Sequence, residues 1–176
     1  MKNSNNLEIE RKFIVSKDAL KNEFNNTYNI KSGYTSRETS SRVNYLSYSG
    51  FEKGFITFKG KGSLSRKEFE YEIPASEAEF MVKDPSICPF TIDKTRHELL
   101  LGGKIWEIDK YTTPIKCWDV FVYPIIAEVE LNSENEELIL PSWVLLEVTE
   151  ISAFKNHKMA INKDLPEEYY KYFKEV

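Results

Sequence analysis

The stretch "LEIERKFIV", residues 7–15, alternates apolar and charged side chains over most of its length. An alternation with a period of two is typical of a β-strand, and it places Glu8, Glu10 and Lys12 on one face. Taken alone, such a strand is most simply interpreted as an edge strand whose charged face meets water. Whether that interpretation holds depends on how the rest of the chain is patterned.

The composition indicates a globular protein with a raised charge content, since 41% of the 176 residues are apolar and 30% are charged. A chain of this length is expected to form one domain, residues 1–176, with a sizeable core. The net charge of −4 argues against general nucleic-acid binding, because a phosphate backbone requires a basic surface.

Cysteine usage and the absence of targeting signals predict a cytoplasmic protein. Cys88 and Cys117 lie far apart without the spacing of a metal site, and two histidines are too few for a multi-histidine site. No signal peptide is evident, and no apolar run approaches the ~20 residues that a membrane span needs. The segment "GKGS", residues 60–63, lacks the spacing of a phosphate-binding Walker loop.

Helical patterns are few. One helix is predicted near Lys17–Phe24 with Ser16 as its cap, and another near Ser76–Lys83 with Ser76 as its cap. The tail 151–176 is expected to form helical pieces broken at Pro166.

Strand-like alternation dominates the remaining chain. Gly102 and Gly103 predict a hairpin between two of the strands. Eight strands are predicted, at residues 7–15, 41–48, 54–61, 66–73, 90–100, 103–111, 123–132 and 143–150. Eight strands with few long helices favour an antiparallel barrel or a strongly curved sheet.

Nearly every predicted strand is apolar on one face and charged on the other, and the charges are sorted by sign. The stretch "FITFKGK", residues 55–61, contributes Lys59 and Lys61, whereas "AEVEL", residues 127–131, contributes Glu128 and Glu130. A face that merely meets water needs no such sorting. We therefore predict a closed barrel with the charged face inside, where each charge must be paired or bound to an ion.

The two signs of charge call for two kinds of ligand. The lysines and arginines suit a strongly anionic molecule, and the carboxylates are hard oxygen ligands suited to Mg²⁺ or Mn²⁺. A polyphosphate bound together with its metal ions meets both demands.

The segment "EIERK", residues 8–12, resembles the E-x-E-x-K signature of the CYTH domain family, the triphosphate tunnel metalloenzymes. Further stretches follow in the family's order across residues 7–162: "FITFKGKG" (55–62), "SRKEFEYEI" (65–73), "DKTRHEL" (93–99), "WEIDKY" (106–111), "AEVEL" (127–131) and "LEVTE" (146–150). The resemblance implies an α+β, mainly β fold: an eight-stranded antiparallel closed β-barrel, or tunnel, with flanking helices. A triphosphate would bind inside it with Mg²⁺ or Mn²⁺.

The sequence departs from the family pattern in two places. Asn44 replaces the second arginine of an R-x-R strand that begins at Arg42, and Ala153 and Phe154 stand where an arginine-tyrosine pair is common. Both changes remove expected phosphate contacts, and Lys155 is the neighbouring residue able to restore a positive charge.

The resemblance implies roles for sixteen residues, some with more than one role. The catalytic candidates are Lys12, Glu147 and Tyr34, with packing as the alternative for Tyr34. The substrate-binding candidates are Lys12, Arg42, Lys59, Lys61, Arg66, Lys94, Arg96 and Lys155. The metal-binding candidates are Glu8, Glu10, Glu70, Asp109, Glu128, Glu130 and Glu147.

Three functions fit these expectations. The first is a metal-dependent hydrolase of triphosphate compounds, most simply of inorganic tripolyphosphate, by in-line attack of water on a terminal phosphate. The second is a class IV adenylate cyclase that converts ATP to cyclic AMP and pyrophosphate. The third is a non-catalytic triphosphate- or nucleotide-binding module. The small-molecule partner would be tripolyphosphate, ATP or thiamine triphosphate, and a homodimer is compatible with the sequence.

Overall fold

A computed structural model describes residues 6–38 and 40–174. Along the chain it contains β1 (Leu7–Val15), β2 (Asn26–Tyr34), β3 (Ser40–Tyr48), β4 (Phe51–Lys59), β5 (Ser65–Ile73), α1 (Ala75–Lys83), β6 (Phe90–Leu101), β7 (Lys104–Tyr111), β8 (Ile115–Cys117), β9 (Val120–Val122), β10 (Ile125–Glu130), β11 (Val144–Glu147), α2 (Asn156–Asn162) and β12 (Asp164–Leu165). Short 3₁₀ helices form at Lys17–Lys21, Ser152–Phe154 and Glu167–Tyr172.

The main sheet closes on itself as an antiparallel barrel. Its strands follow the order β10-β7-β6-β2-β3-β4-β5-β1, and β1 pairs again with β10, with Glu10 opposite Glu130. β11 is an additional strand that pairs with the free edge of β1 from Phe13 to Val15. The predicted eight-stranded closed barrel is therefore confirmed, with one strand added.

The set of barrel strands differs from the prediction at two points. β2 was not predicted, although it pairs with β3 and β6 in the middle of the sheet. The predicted strand 143–150 is shorter, Val144–Glu147, and lies outside the barrel. The remaining seven predicted strands are present with ends shifted by at most a few residues.

The helical predictions were partly right. Ser16 caps the 3₁₀ helix 17–21 as expected, and its hydroxyl accepts from the amide of Asp18. Ser76 does not cap α1, which begins after Pro74 without a side-chain cap. The C-terminal tail forms short helical pieces on both sides of Pro166, and its last two residues, 175 and 176, lie outside the described residues.

Side chains along the barrel strands alternate between two faces. The inner face holds both charged and apolar residues, and the outer face is mainly apolar. In β1, Glu8, Glu10 and Lys12 face the interior, whereas Phe13 and Val15 pack outside. There they meet Ala19, and Trp106 and Trp143 complete the same outer core. A second outer core lies between α1 and the sheet, where Val43 and Tyr45 pack against Ala78 and Val82.

One end of the barrel is filled with apolar side chains. Ile14, Tyr34, Ile92, Tyr111 and Ile126 occupy this end and are each at most 1% exposed. Phe154 and Met159, from the 3₁₀ helix 152–154 and from α2, cover them from below. The charged part of the interior is thus a cup with a floor rather than a through-passage. None of the helices within the described residues has the length and apolar character required to cross a bilayer.

Candidate functional site

The charged interior opens into a cavity at the end of the barrel opposite the apolar floor. The cavity has a volume of about 530 Å³, within the range of small-molecule sites. A neighbouring chamber of about 610 Å³ shares Glu8, Glu10, Glu107, Glu128 and Glu130 with it. Because these carboxylates line both spaces, the two chambers form one acidic compartment beside the basic residues.

A buried ion network occupies one wall. Asp109 is completely buried and contacts Lys94, and it accepts bonds of 2.7 Å from both Nε and Nη2 of Arg96. Arg96 Nη2 reaches Glu128 Oε2 at 3.0 Å, and Glu128 Oε1 binds Lys12 Nζ at 2.6 Å. This chain of contacts fixes the plane of the Arg96 guanidinium and the position of both lysines.

Burial and the contacts within this ion network shift the pKa values of its members. Burial opposes the charge of Glu128, but Lys12, Lys94 and Arg96 outweigh that effect and hold its pKa well below the usual range. Burial and the nearby Arg96 lower the pKa of Lys94. For Lys12, burial is exceeded by the attraction of Glu128 and Glu10, so its pKa is raised.

A second network joins β1 to β4 and β5. Glu8 accepts from Lys59 Nζ at 2.7 Å and from Arg66 Nε at 2.8 Å. Lys59 also contacts Glu68 Oε2 at 2.6 Å. The predicted basic residues Lys59 and Arg66 are therefore both in the interior, each next to a carboxylate.

Two carboxylates of the interior are less well neutralised. Glu10 and Glu130 stand directly opposite each other on adjacent strands, an arrangement that like charges disfavour. Glu10 reaches Lys12 and Arg66 only at 3.9 Å, and within residues 6–38 and 40–174 no lysine or arginine nitrogen lies within 4.0 Å of Glu130. Burial raises the pKa of both carboxyl groups, and neighbouring carboxylates add to the effect.

The acidic compartment has the chemistry of a site for a hard cation. Its donors are carboxylate oxygens from β1, β7 and β10, and a bound divalent cation would remove the repulsion between Glu10 and Glu130. Among the described residues no three metal-ligating side chains already converge on one point. The residue types fit Mg²⁺ or Mn²⁺. The side chains must shift on binding, because both carboxylate oxygens of Glu8 and of Glu128 already contact a lysine or arginine nitrogen.

Arg42 and Tyr34 lie deeper, next to the apolar floor. The Tyr34 hydroxyl bonds to Arg42, and the pKa of Arg42 is raised because Tyr34 and Glu68 outweigh the burial that opposes its charge. The Arg42 Nε is buried without an acceptor among the described residues. Tyr34 is only 1% exposed and does not line the cavity, so the structure places it beneath Arg42, as a support for that side chain.

Several predicted site residues lie elsewhere. Glu147 is outside the barrel, where it binds Arg11 and Thr149 and its side chain is 40% exposed. Lys61 is exposed on the loop after β4. Glu70 faces the cavity and accepts from Thr57 at 3.1 Å, and Asp109 is occupied by Lys94 and Arg96. Glu147 and Lys61 are thus not brought to the interior.

The two departures from the family pattern have local explanations. Asn44 accepts from the Ser32 hydroxyl at 2.7 Å, so a polar pair fills the space between β2 and β3. Ala153 packs against the floor of the barrel. Lys155 lies at the side of the barrel, where its Nζ donates to the carbonyl of Gly62 at 2.8 Å.

Sequence reasoning missed two groups of cavity residues. Glu107 faces Glu128 across adjacent strands, and burial raises its pKa to about 7 despite its contact with Arg96. The alternation of "KIWEIDKY" (104–111) carries the signal for Glu107, since it shares a face with Asp109. The second group, on β2, β3 and β4, is aromatic and lines one side of the cavity: Tyr28, Tyr48, Phe51 and Phe55.

Comparisons with known proteins point in the same direction as the site. The chain matches no family profile. It is 34% identical over 175 residues to a protein of Acetivibrio thermocellus named inorganic triphosphatase, across 96% of this chain and 98% of that protein. A Nitrosomonas europaea protein with the same name is 31% identical over 158 residues, 88% of this chain and 97% of that protein. A crystal structure of an inorganic triphosphatase superimposes with a TM-score of 0.53 at 26% identity, covering 88% of this chain and 94% of that one.

Proposed function

Because this chain belongs to the CYTH family of triphosphate tunnel metalloenzymes, we propose that it hydrolyses inorganic tripolyphosphate to pyrophosphate and orthophosphate. One observation carries the proposal: Glu10 and Glu130 face each other in a closed barrel whose interior also holds six lysines and arginines. Opposed carboxylates are costly on their own, and a metal-bound polyanion gives both signs of charge a partner. The names of the relatives support the choice of substrate.

The bases form the phosphate clamp. Lys12, Lys59, Lys94, Arg42, Arg66 and Arg96 approach the interior from β1, β3, β4, β5 and β6. Asp109 holds Arg96 in a fixed orientation, and Tyr34 supports Arg42. Bases that are positioned before the substrate arrives can stabilise the charge that develops on the phosphate oxygens in the transition state, without reorganisation.

The proposed metal ligands are the carboxylates around the acidic compartment: Glu8, Glu10, Glu107, Glu128 and Glu130. We leave out Asp109, which lines neither chamber, and Glu147, which lies outside the barrel. Mg²⁺ or Mn²⁺, when bound, would neutralise phosphate charge and favour in-line attack of water. In the reaction the water oxygen forms the new P–O bond, the phosphoanhydride bond breaks, and pyrophosphate leaves.

The test is a product assay with purified protein and tripolyphosphate, ATP or thiamine triphosphate, with and without Mg²⁺ or Mn²⁺. The proposal expects metal-dependent orthophosphate from tripolyphosphate. Glu130→Gln should abolish most of this activity, and the matched control Glu147→Gln, outside the barrel, should leave it unchanged. Cyclic AMP from ATP, or tight binding of tripolyphosphate without product, would contradict the proposal.

A second candidate substrate is an organic triphosphate, and the aromatic side of the cavity favours it. Tyr28 and Tyr48 meet edge to face at a centroid distance of 5.7 Å, next to Phe51 and Phe55. Such a surface can pack against the ring system of ATP or thiamine triphosphate. Phe51→Ser distinguishes the two substrates, because it should weaken turnover of the organic triphosphates and leave that of tripolyphosphate unchanged.

A further inference from the structure

The barrel has a weak seam between β1 and β5. These strands pair only over Leu7–Ile9, because β5 begins at Ser65 and the later part of β1 pairs with β11 instead. Beyond the paired residues, β1 faces the loop 60–64 that precedes β5. The Glu10 amide bridges this gap by donating to the carbonyl of Leu64 at 2.9 Å. The seam is therefore the least hydrogen-bonded part of the barrel wall that the described residues form.

A narrow slot lies at this seam, between residues of the charged interior and residues of the outer surface. On the inner side it is lined by Glu10, Lys12 and Arg66, and on the outer side by Ser63, Thr149, Ile151 and Lys155. As it stands, its volume is about 10 Å³, too little for more than one water molecule. An anion the size of phosphate passes only if the slot widens.

Lys155 holds the slot closed. Its Nζ donates to the Gly62 carbonyl at 2.8 Å, which ties the segment before α2 to the exposed loop 60–64. In the part of the chain that the structure describes, no carboxylate oxygen lies within 4.0 Å of this ammonium group. Three further cations, Arg66, Lys12 and Lys158, oppose the charge of Lys155, and the more distant carboxylate of Glu150 offsets only part of their effect.

These features make the closed state responsive to an anion. Lys12 and Arg66 already have carboxylate partners, whereas Lys155 has only a backbone oxygen. A phosphate arriving between the three cations offers Lys155 a charged acceptor, which adds a Coulomb attraction that the neutral carbonyl of Gly62 does not supply. Lys155 would then leave Gly62, and the loop 60–64 would be released.

The alternative routes out of the interior are less favourable. The apolar floor blocks one end of the barrel. The open end lies beside the acidic compartment that contains Glu107, Glu128 and Glu130, where the substrate and its metal ions would bind and would stand between orthophosphate and that exit. We propose that the seam is a gated exit for the orthophosphate product and that the Lys155–Gly62 contact is its latch. This inference rests on the proposed hydrolysis of tripolyphosphate.

The kinetic test compares bond cleavage with phosphate release. Rapid-quench measurements report cleavage, and a fluorescent phosphate-binding sensor reports free orthophosphate. The wild-type protein should show a delay between the two. Lys155→Met should shorten the delay about tenfold, the effect expected from loss of a hydrogen bond from a charged donor, with KM unchanged. Lys110→Met removes an exposed lysine on β7, away from the seam, and should leave the delay unchanged.

Several outcomes overturn the latch. If orthophosphate appears without delay in the wild-type protein, release is not gated. If Lys155→Met raises KM and leaves the delay unchanged, Lys155 binds substrate and does not gate release. Ser63→Phe, which fills the slot, should lengthen the delay; an unchanged delay in a stably folded Ser63→Phe protein would also contradict the proposal.

A structural readout separates failure of the latch from failure of the proposed function. Amide exchange of Glu10, whose N–H donates across the seam to Leu64, needs neither metal nor turnover. Lys155→Met should accelerate this exchange about tenfold by the same loss of a hydrogen bond, and 10 mM orthophosphate should accelerate it in the wild-type protein. If tripolyphosphate is not cleaved but exchange of the Glu10 amide is accelerated as expected, the proposed function is rejected and the gate is kept. If cleavage is normal but the exchange is unchanged, the gate is rejected.

Discussion

Replacing Asp109 by asparagine tests whether the interior ion network is as tightly coupled as its contacts indicate. Asp109 is completely buried, contacts Lys94 and binds Arg96 through two bonds of 2.7 Å. Removing one partner of a buried ion pair costs about 3–5 kcal/mol, because the other charge is left uncompensated. We expect the lower end, about 3 kcal/mol, since Glu128 still contacts Arg96 after the change.

The measurement is urea unfolding of the metal-free protein at pH 7. A loss of about 3 kcal/mol corresponds to a midpoint lower by about 1 M or more, and to a Tm lower by roughly 6–12 °C for a chain of this size. Pyrophosphate should stabilise Asp109→Asn more than the wild type, because the anion replaces the missing negative charge. The matched control is Asp93→Asn, on the outer face of β6, the strand that carries Lys94 and Arg96, and it should change the stability by less than about 1 kcal/mol.

The reasoning would be refuted by an Asp109→Asn protein that loses less than about 1 kcal/mol, or no more than Asp93→Asn. Equal stabilisation of wild type and Asp109→Asn by pyrophosphate would refute the second part, because it would show that the anion does not meet Lys94 and Arg96.

Three further predictions concern the carboxylates and the packing of the barrel. Glu130→Gln should raise the urea midpoint of the metal-free protein, since it removes a carboxylate facing Glu10, and should weaken Mg²⁺ binding at least about tenfold in calorimetry. The pKa of Glu107 is raised from 4.5 to about 7, so protonation of this group favours the folded state. Its contribution to stability should be fully present below pH 4.5 and should be lost as the pH rises to about 7. Urea titrations of Glu107→Gln should therefore show a smaller decrease in stability over that range than the wild type. Gly33→Ala would place a Cβ 2.6 Å from Cys88 Sγ, so the free energy of unfolding measured in urea should drop by about 1–3 kcal/mol; an unchanged free energy would contradict the close packing of α1 and the following loop on β2.

The parts of the fold that follow from the sequence are those where charge and apolar residues alternate. The stretch 7–15 was predicted with its correct ends and with Glu8, Glu10 and Lys12 facing inward, because every second residue is charged. The same pattern located the strands that carry Lys59, Arg66, Arg96 and Glu128.

β2 escaped prediction because its pattern is reversed. Its inward residues are uncharged, Tyr28, Ile30, Ser32 and Tyr34, and its outward residues include Lys31. A search for charged inner faces cannot find such a strand. The same reversal also hides the aromatic side of the cavity. Its residues lie on β2, β3 and β4 and come together only when these neighbouring strands pair.

Glu147 was placed inside because "LEVTE" alternates like the true barrel strands. The structure pairs it with Phe13 on the outer side of β1, where it meets Arg11. Local alternation fixes which residues share a face, but the direction in which that face points depends on the pairing partner. Strand pairing between residues more than a hundred positions apart is not encoded in a local pattern.

The position of β1 in the barrel has a consequence for how the chain folds as it is synthesised. Glu10 pairs with Glu130, 120 positions later in the sequence, and Phe13 pairs with Glu147. β1 therefore leaves a ribosome long before β10 and β11, with which it pairs, and contacts of such long range make folding slow. Until β10 arrives, Glu8, Glu10 and Lys12 keep this waiting strand soluble, because charges on an unpaired strand oppose edge-to-edge aggregation. The side chains proposed to bind metal and phosphate would thus first protect the nascent chain.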